Sequence, residues 1–183
     1  MTGMLADSQK EIIGLQAQLA EQLAATAVKT PSAPARPADP EVEAIEDLWA
    51  NDRQEEATIR WLQSTRRVEL FDLFFKDCNP NYLSVVNPIV AMSVAACITE
   101  SMTTHLGERV AWLGAALRAV HDTQDPDTVQ NAPKVMDTVI QRLSNEYMVL
   151  VERDPYNELL SSFHSLVKQA RDLKGYAMLM LSR

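Results

Sequence analysis

Glycine is scarce in this sequence, with five residues among 183, at positions 3, 14, 107, 114 and 175. Turns of β-hairpins and phosphate-binding loops need backbone conformations with positive φ, which glycine adopts most readily. The scarcity therefore disfavours hairpin-rich folds and glycine-rich nucleotide sites. No stretch alternates apolar and polar residues strictly enough to predict a strand.

Long apolar runs are also missing. The longest, Ile89–Ile98, is interrupted by Ser93 and has about half of the roughly 20 residues that a membrane-spanning helix needs. The N-terminus shows no basic segment followed by an apolar one, so we expect neither a secretory signal nor association with a membrane.

Cysteines, aromatic residues and positive charge are few. Cys78 and Cys97 each lie beside apolar residues, which favours buried free thiols in a reducing compartment such as the cytosol over a disulfide. Single-stranded RNA is bound by basic grooves with stacking aromatic rings. The net charge of −8 and the aromatic content of 6% therefore argue against direct nucleic-acid binding.

Catalytic motifs are absent as well. The sequence contains no metalloprotease His–Glu pair, P-loop, dinucleotide fingerprint or paired-cysteine zinc pattern. Its three histidines, His105, His121 and His164, are scattered. We therefore predict no enzyme activity, no catalytic residue, no metal site and no cofactor.

The composition divides the chain into three parts. Residues 1–26 predict a coiled-coil-like helix, residues 27–39 a linker rich in proline and alanine, and residues 40–183 an all-helical interaction domain. The N-terminal part covers about three heptads, which is marginal for an autonomous coiled coil. It is predicted either to self-associate or to remain a solvated, fraying helix. Its candidate self-association residues are Leu5, Ile12, Leu15, Leu19 and Leu23.

A recurring step of Asp or Asn followed by proline marks helix starts. The Asx side chain can accept a hydrogen bond from the first free amides of a helix, and proline fits the next position. Apolar stripes between these steps predict about seven helices, arranged as a bundle or as stacked hairpins, with a core that includes Leu113, Leu117, Val139, Leu143, Phe163 and Leu166. The steps are Asp39–Pro40, Asn79–Pro80, Asn87–Pro88, Asp125–Pro126 and Asp154–Pro155.

Three segments carry a resemblance to a known family. They are VELFDLFFKDCNP (68–80), NPIVAMSVAACITESMTTHLGERVAWLGAALRAVHDTQDP (87–126) and NAPKVMDTVIQRLSNEYMVLVERDP (131–155). In order and spacing they resemble the C-terminal domain of the enhancer of mRNA decapping 4 family, called Varicose in plants, which has a related scaffold in fission yeast. Members of that family also carry a coiled coil and a low-complexity linker before this domain.

The resemblance implies an α–α superhelix in a non-catalytic scaffold of mRNA decapping and 5′–3′ decay. The implied location is the cytoplasm, in processing bodies, and the implied partners are the catalytic subunit of the decapping enzyme, other decapping activators or the 5′–3′ exonuclease. Self-association would come from the upstream coiled coil. The alternatives are an RNA-binding helical-repeat module and a purely oligomerising helical module.

Two groups of basic residues are candidates for partner binding. Lys134 and Arg142 follow Pro133 on the polar face of a helix, where they either face solvent or hold an acidic segment of a decapping factor. A second group, Arg60, Arg66 and Arg67, could bind phosphate or form ion pairs with Glu55 or Glu56.

Overall fold

The computed structural model describes residues 39–183, and within this range it contains seven α-helices, two 3₁₀ turns and no strand. The all-α prediction is confirmed. The predicted coiled-coil residues and almost all of the predicted linker lie outside the described residues. The α-helices are α1 (Pro40–Ala50), α2 (Gln54–Gln63), α3 (Arg67–Leu73), α4 (Pro88–Thr99), α5 (Leu106–Val120), α6 (Pro126–Arg153) and α7 (Leu159–Leu181).

Proline begins three of these helices at the predicted places, Pro40, Pro88 and Pro126. Before α4, the Oδ1 of Asn87 accepts a hydrogen bond from the amide of Ile89 at 3.1 Å. The Asn79–Pro80 step starts only a short 3₁₀ turn, Pro80–Ser84, as its closeness to Asn87–Pro88 predicts.

The fifth step, Asp154–Pro155, does not start a helix, and this prediction is wrong. α6 ends at Arg153, directly before Asp154, and α7 begins at Leu159, whose amide donates to Asn157 Oδ1 at 2.8 Å. Proline is also common just after a helix, because it cannot continue the helix. The Asx–Pro step alone therefore does not distinguish the end of one helix from the start of the next.

The helices pack as three hairpins, α1 with α2, α4 with α5 and α6 with α7. Successive hairpins stack because α4 contacts both α2 and α6, and α5 contacts α7. The α6–α7 pair is antiparallel, since Lys174 Nζ donates to Asp137 Oδ1 at 2.6 Å while His164 lies beside Tyr147. This arrangement is the predicted α–α superhelix, and it leaves α2, α4 and α6 side by side.

An aromatic cluster fills the first half of the core. Trp61 stacks on Phe75 with 4.2 Å between ring centroids, and Trp112 meets Phe75 edge-on at 5.9 Å. The Trp61 indole also donates from Nε1 to the carbonyl of Arg67 at 2.7 Å, which fixes the start of α3 against the core. The predicted core residues Leu113, Leu117, Val139, Leu143, Phe163 and Leu166 are all buried.

The two cysteines are free thiols, as predicted, with Cys97 buried and Cys78 half-buried. None of the helices in residues 39–183 is long and apolar enough to cross a membrane.

Candidate functional site

The side-by-side packing of α2, α4 and α6 forms a groove of about 540 Å³ on one side of the superhelix. Apolar side chains line much of it because each of the three helices turns one edge of its apolar stripe toward this side. They are Ile59 and Leu62 from α2, Ile89, Val90, Ala96 and Cys97 from α4, and Val135 from α6. A concave apolar surface of this kind suits the side chains of a short peptide segment.

Three cations and one carboxylate also line the groove: Arg67, Lys134, Arg142 and Glu100. Arg67 and Glu100 form a two-pronged ion pair, with Nε 2.6 Å from Oε1 and Nη2 2.7 Å from Oε2. The pKa of Arg67 is raised above its usual value, mainly by the hydrogen bonds to Glu100 and to a smaller extent by the negative charge of Glu100. The remaining nitrogen of Arg67, Nη1, donates to the carbonyl of Ser64 at 3.1 Å.

Arg142 is half-buried and reaches from α6 across to α4. Its Nη1 donates to the carbonyl of Ala96 at 3.1 Å and lies 3.4 Å from Thr99 Oγ1. Both acceptors belong to the last turn of α4, where the helix dipole favours a cation and where Thr99 Oγ1 also donates to the Ala96 carbonyl at 2.9 Å. Arg142 therefore caps a neighbouring helix in addition to lining the groove.

Lys134 lies two turns before Arg142 on the same side of α6 and is exposed. Its ammonium group has no carboxylate partner among residues 39–183. Pro133, the residue before Lys134, lies inside α6 and does not start the helix. The helix is continuous from Pro126 to Arg153. Lys134 is thus a cation on a helical scaffold, available to a bound segment.

The other two predicted residues lie elsewhere. Arg60 is exposed on α2 and does not line the groove, whereas Arg66 bridges Glu41 and Glu69 at 3.3 Å and 3.0 Å. The ion pair with Glu56 that the sequence allowed for these arginines does not form, because Glu56 pairs with Arg53 instead. The structure therefore brings together Arg67, Lys134 and Arg142 and leaves Arg60 and Arg66 outside.

No protein-family model and no curated protein sequence matches this chain. A solved structure does: the crystal structure of the conserved C-terminal region of Ge-1 superposes with a TM-score of 0.62. This chain has the Ge-1 C-terminal fold. The match covers 72% of this chain and 97% of the Ge-1 chain, with 21% sequence identity.

The likeness to Ge-1 concerns the path of the backbone. At 21% identity it supports the same helical architecture in both chains, and it assigns no role to Arg67, Lys134 or Arg142. The chemistry of the groove must therefore be derived from the side chains of this chain alone.

Glu100 and the apolar lining residues were missed at the level of the sequence. Glu100 ends an apolar segment and is more than thirty positions from Arg67, so no local spacing predicts their pairing. Ile59, Leu62 and Ile89 belong to ordinary amphipathic patterns, which do not distinguish a groove from a core. Only the stacking of the three helices brings these residues together.

Two features of the described residues bear on catalysis, the cysteine thiols and the possible metal ligands. Burial raises the pKa of the Cys78 thiol to about 11, with a smaller contribution from Asp77, and raises that of Cys97 to about 12. Both thiols are protonated at neutral pH and are therefore poor nucleophiles. Among residues 39–183 there is no group of three or more His, Cys, Asp or Glu side chains that could hold a metal ion.

A second depression, of about 440 Å³, lies between α6 and α7. In it, His164 Nε2 and the Tyr147 hydroxyl are 2.9 Å apart, and Lys168 pairs with Asp172 at 2.8 Å. Lys168 and Asp172 thus neutralise each other, and Arg171 is the cation of this depression that no carboxylate of the described residues pairs with. The first groove, with its unpaired lysine and its arginines, is the better candidate for a charged partner.

Proposed function

We propose that this chain is a non-catalytic adaptor of the enhancer of mRNA decapping 4 family that recruits decapping factors through the α2–α4–α6 groove. The observation that carries the proposal is the fold shared with Ge-1, a member of that family, which extends over 97% of its conserved C-terminal region. The resemblance of residues 68–80, 87–126 and 131–155 to the same family supports it independently. The proposed setting is the cytoplasm, in processing bodies.

The proposed ligand is a short acidic segment with apolar residues, carried by the decapping enzyme's catalytic subunit, another decapping activator or the 5′–3′ exonuclease. The groove supports this choice because apolar side chains line much of it, while Lys134 and Arg142 supply positive charge that no carboxylate of the described residues neutralises. The chain as a whole carries a net charge of −8, which does not favour an acidic segment in general. The cations of the groove therefore determine where such a segment docks.

Direct RNA binding is the less favoured alternative. A groove that binds single strands needs aromatic rings on which bases stack, and the groove in residues 39–183 is lined by none. A gel shift with single-stranded RNA, compared at low and moderate salt, tests this alternative. Binding comparable to that of the acidic segments would favour the RNA-binding module instead.

The test uses the full chain and synthetic peptides that tile the three classes of decapping factor. We expect at least one acidic tile to bind in isothermal titration calorimetry and Lys134→Glu to weaken its binding by about tenfold, because like charges would then face each other. Lys168→Glu is the matched control, since Lys168 is an exposed lysine outside the groove. If the two variants bind every tile alike, the proposal is wrong for this groove.

Self-association through residues 1–26 remains a prediction. We expect residues 40–183 alone to be monomeric and the full chain to be larger than a monomer, with Leu5, Ile12, Leu15, Leu19 and Leu23 at the contact. Multi-angle light scattering of the two chains decides this. A dimer of residues 40–183 would instead point to the exposed apolar side chains Met178, Leu179 and Leu181 at the end of α7.

A further inference from the structure

The Arg67–Glu100 pair uses every donor nitrogen of the arginine. Nε and Nη2 bind the two oxygens of Glu100, and Nη1 binds the carbonyl of Ser64. The paired edge, Nε with Nη2, is one that binds a carboxylate bidentately through two parallel N–H···O bonds. An incoming carboxylate can therefore obtain that edge of Arg67 only by displacing Glu100.

Both members of the pair lie at helix ends that disfavour their charges. Arg67 is the first residue of α3, next to the positive end of the helix dipole, and Glu100 immediately follows α4, next to its negative end. The last turn of α4 is already capped by Arg142. Stabilisation of α4 therefore does not account for a carboxylate at this position, whereas neutralisation of Arg67 does.

Displacement of Glu100 is also physically easy. The Arg67 and Glu100 side chains retain 38% and 26% of their exposure, so the released carboxylate can return to water with little cost. A fully buried pair would instead leave an uncompensated charge behind. The pair is thus stable enough to occupy Arg67 in the free protein and open enough to exchange.

We propose that Glu100 is an internal competitor that occupies the carboxylate-binding edge of Arg67 until an acidic segment displaces it. This inference rests on the proposed acidic ligand of the groove. It adds that competition with Glu100 sets the affinity of the groove for that ligand. Lys134, which has no acidic partner among the described residues, binds the segment without any displacement. Arg67 offers its Nε–Nη2 edge only to a segment whose second carboxylate outcompetes Glu100, so the groove favours segments with several acidic residues.

The experiment uses the full chain and one defined probe. The probe is a fluorescein-labelled, end-capped helical peptide of leucine, glutamate and alanine, with leucine on one face and glutamate along both flanks. Binding is followed by fluorescence anisotropy. Because the probe comes from no decapping factor, its binding tests the competition with Glu100 whether or not any of the tiled peptides binds.

Glu100→Gln keeps the shape of the side chain and removes its charge, and we expect it to tighten binding of the probe by about tenfold. The matched control is Glu56→Gln, which breaks a similar two-pronged pair, with Arg53, outside the groove. It removes the same charge from the chain, and we expect it to change affinity by less than about twofold.

The gain must also depend on Arg67. In the Arg67→Gln background, Glu100→Gln should no longer tighten binding, because no guanidinium is left to release. The inference is overturned if Glu100→Gln leaves affinity unchanged or weakens it, which would mean that Glu100 merely positions Arg67. It is equally overturned if the gain persists without Arg67, or if the probe binds none of the variants.

Discussion

Replacement of Arg142 by methionine tests whether this residue is structural as well as part of the groove. Methionine keeps most of the apolar stem and removes the guanidinium, so the change isolates the contact with the last turn of α4. The lost interaction is a hydrogen bond from a charged donor, Nη1, to the Ala96 carbonyl at 3.1 Å, with a weaker contact to Thr99. Such bonds contribute about 1.5–3 kcal/mol.

We therefore expect Arg142→Met to lower the free energy of unfolding by about 1.5–3 kcal/mol. Urea denaturation followed by circular dichroism measures it, with the denaturant slope unchanged if only stability differs. The matched control is Lys134→Met on the same side of α6, where the side chain is exposed and the expected change is within about 0.5 kcal/mol. Equal midpoints for the two variants would show that the Arg142 contact contributes nothing to folding.

Further predictions concern the core, the ion pair of Asp72 with Arg109 and the thiols. Leu143→Ala should cost about 2–5 kcal/mol in urea denaturation, because Leu143 is fully buried in the α6 stripe. Asp72→Asn should cost about 1–3 kcal/mol in the same assay, since it weakens the 3.0 Å contact to Arg109, a guanidinium that is only 1% exposed. Cys78 and Cys97 should be alkylated by iodoacetamide at pH 8 at least about a hundredfold more slowly in the native chain than in urea, as burial raises both pKa values. Because the unfolded chain releases these thiol protons first, the free energy of unfolding should fall as the pH rises above about 9.

The fold could be predicted from the sequence because its signals are local. Each apolar stripe of α5, α6 and α7 repeats with the helical period, and Asn87 and Asp125 both precede a proline that begins a helix. The prediction failed at Asp154, because an Asx–Pro step occurs both at the start of a helix and just after the end of one. There the proline follows the end of α6, and Asn157, which no proline follows, supplies the side chain that binds the first amide of α7.

The groove could be predicted only in part, because its chemistry depends on contacts between distant helices. Their position on the polar face of one helix predicts Lys134 and Arg142 as partner-binding residues, and both do line the groove. The same reasoning treated them as equivalent, yet Arg142 is held by the Ala96 carbonyl while Lys134 is exposed. A side chain's partner on a neighbouring helix has no signature in the periodicity of its own helix.

The end of α4 shows how stability and binding can be separated in one groove. Arg142 places a cation where the helix dipole favours it and hydrogen-bonds a carbonyl, so its removal should appear mainly as lost stability. Glu100 places an anion at the same helix end, where it is unfavourable, and its partly exposed pair with Arg67 contributes little to folding. Glu100→Gln should therefore change the affinity for an acidic segment with little change in the urea midpoint, the opposite of what Arg142→Met should do in the urea assay. If both variants change stability alike and neither changes binding, Arg142 and Glu100 are both structural parts of the end of α4. The proposal that an acidic segment binds Arg67 would then be wrong.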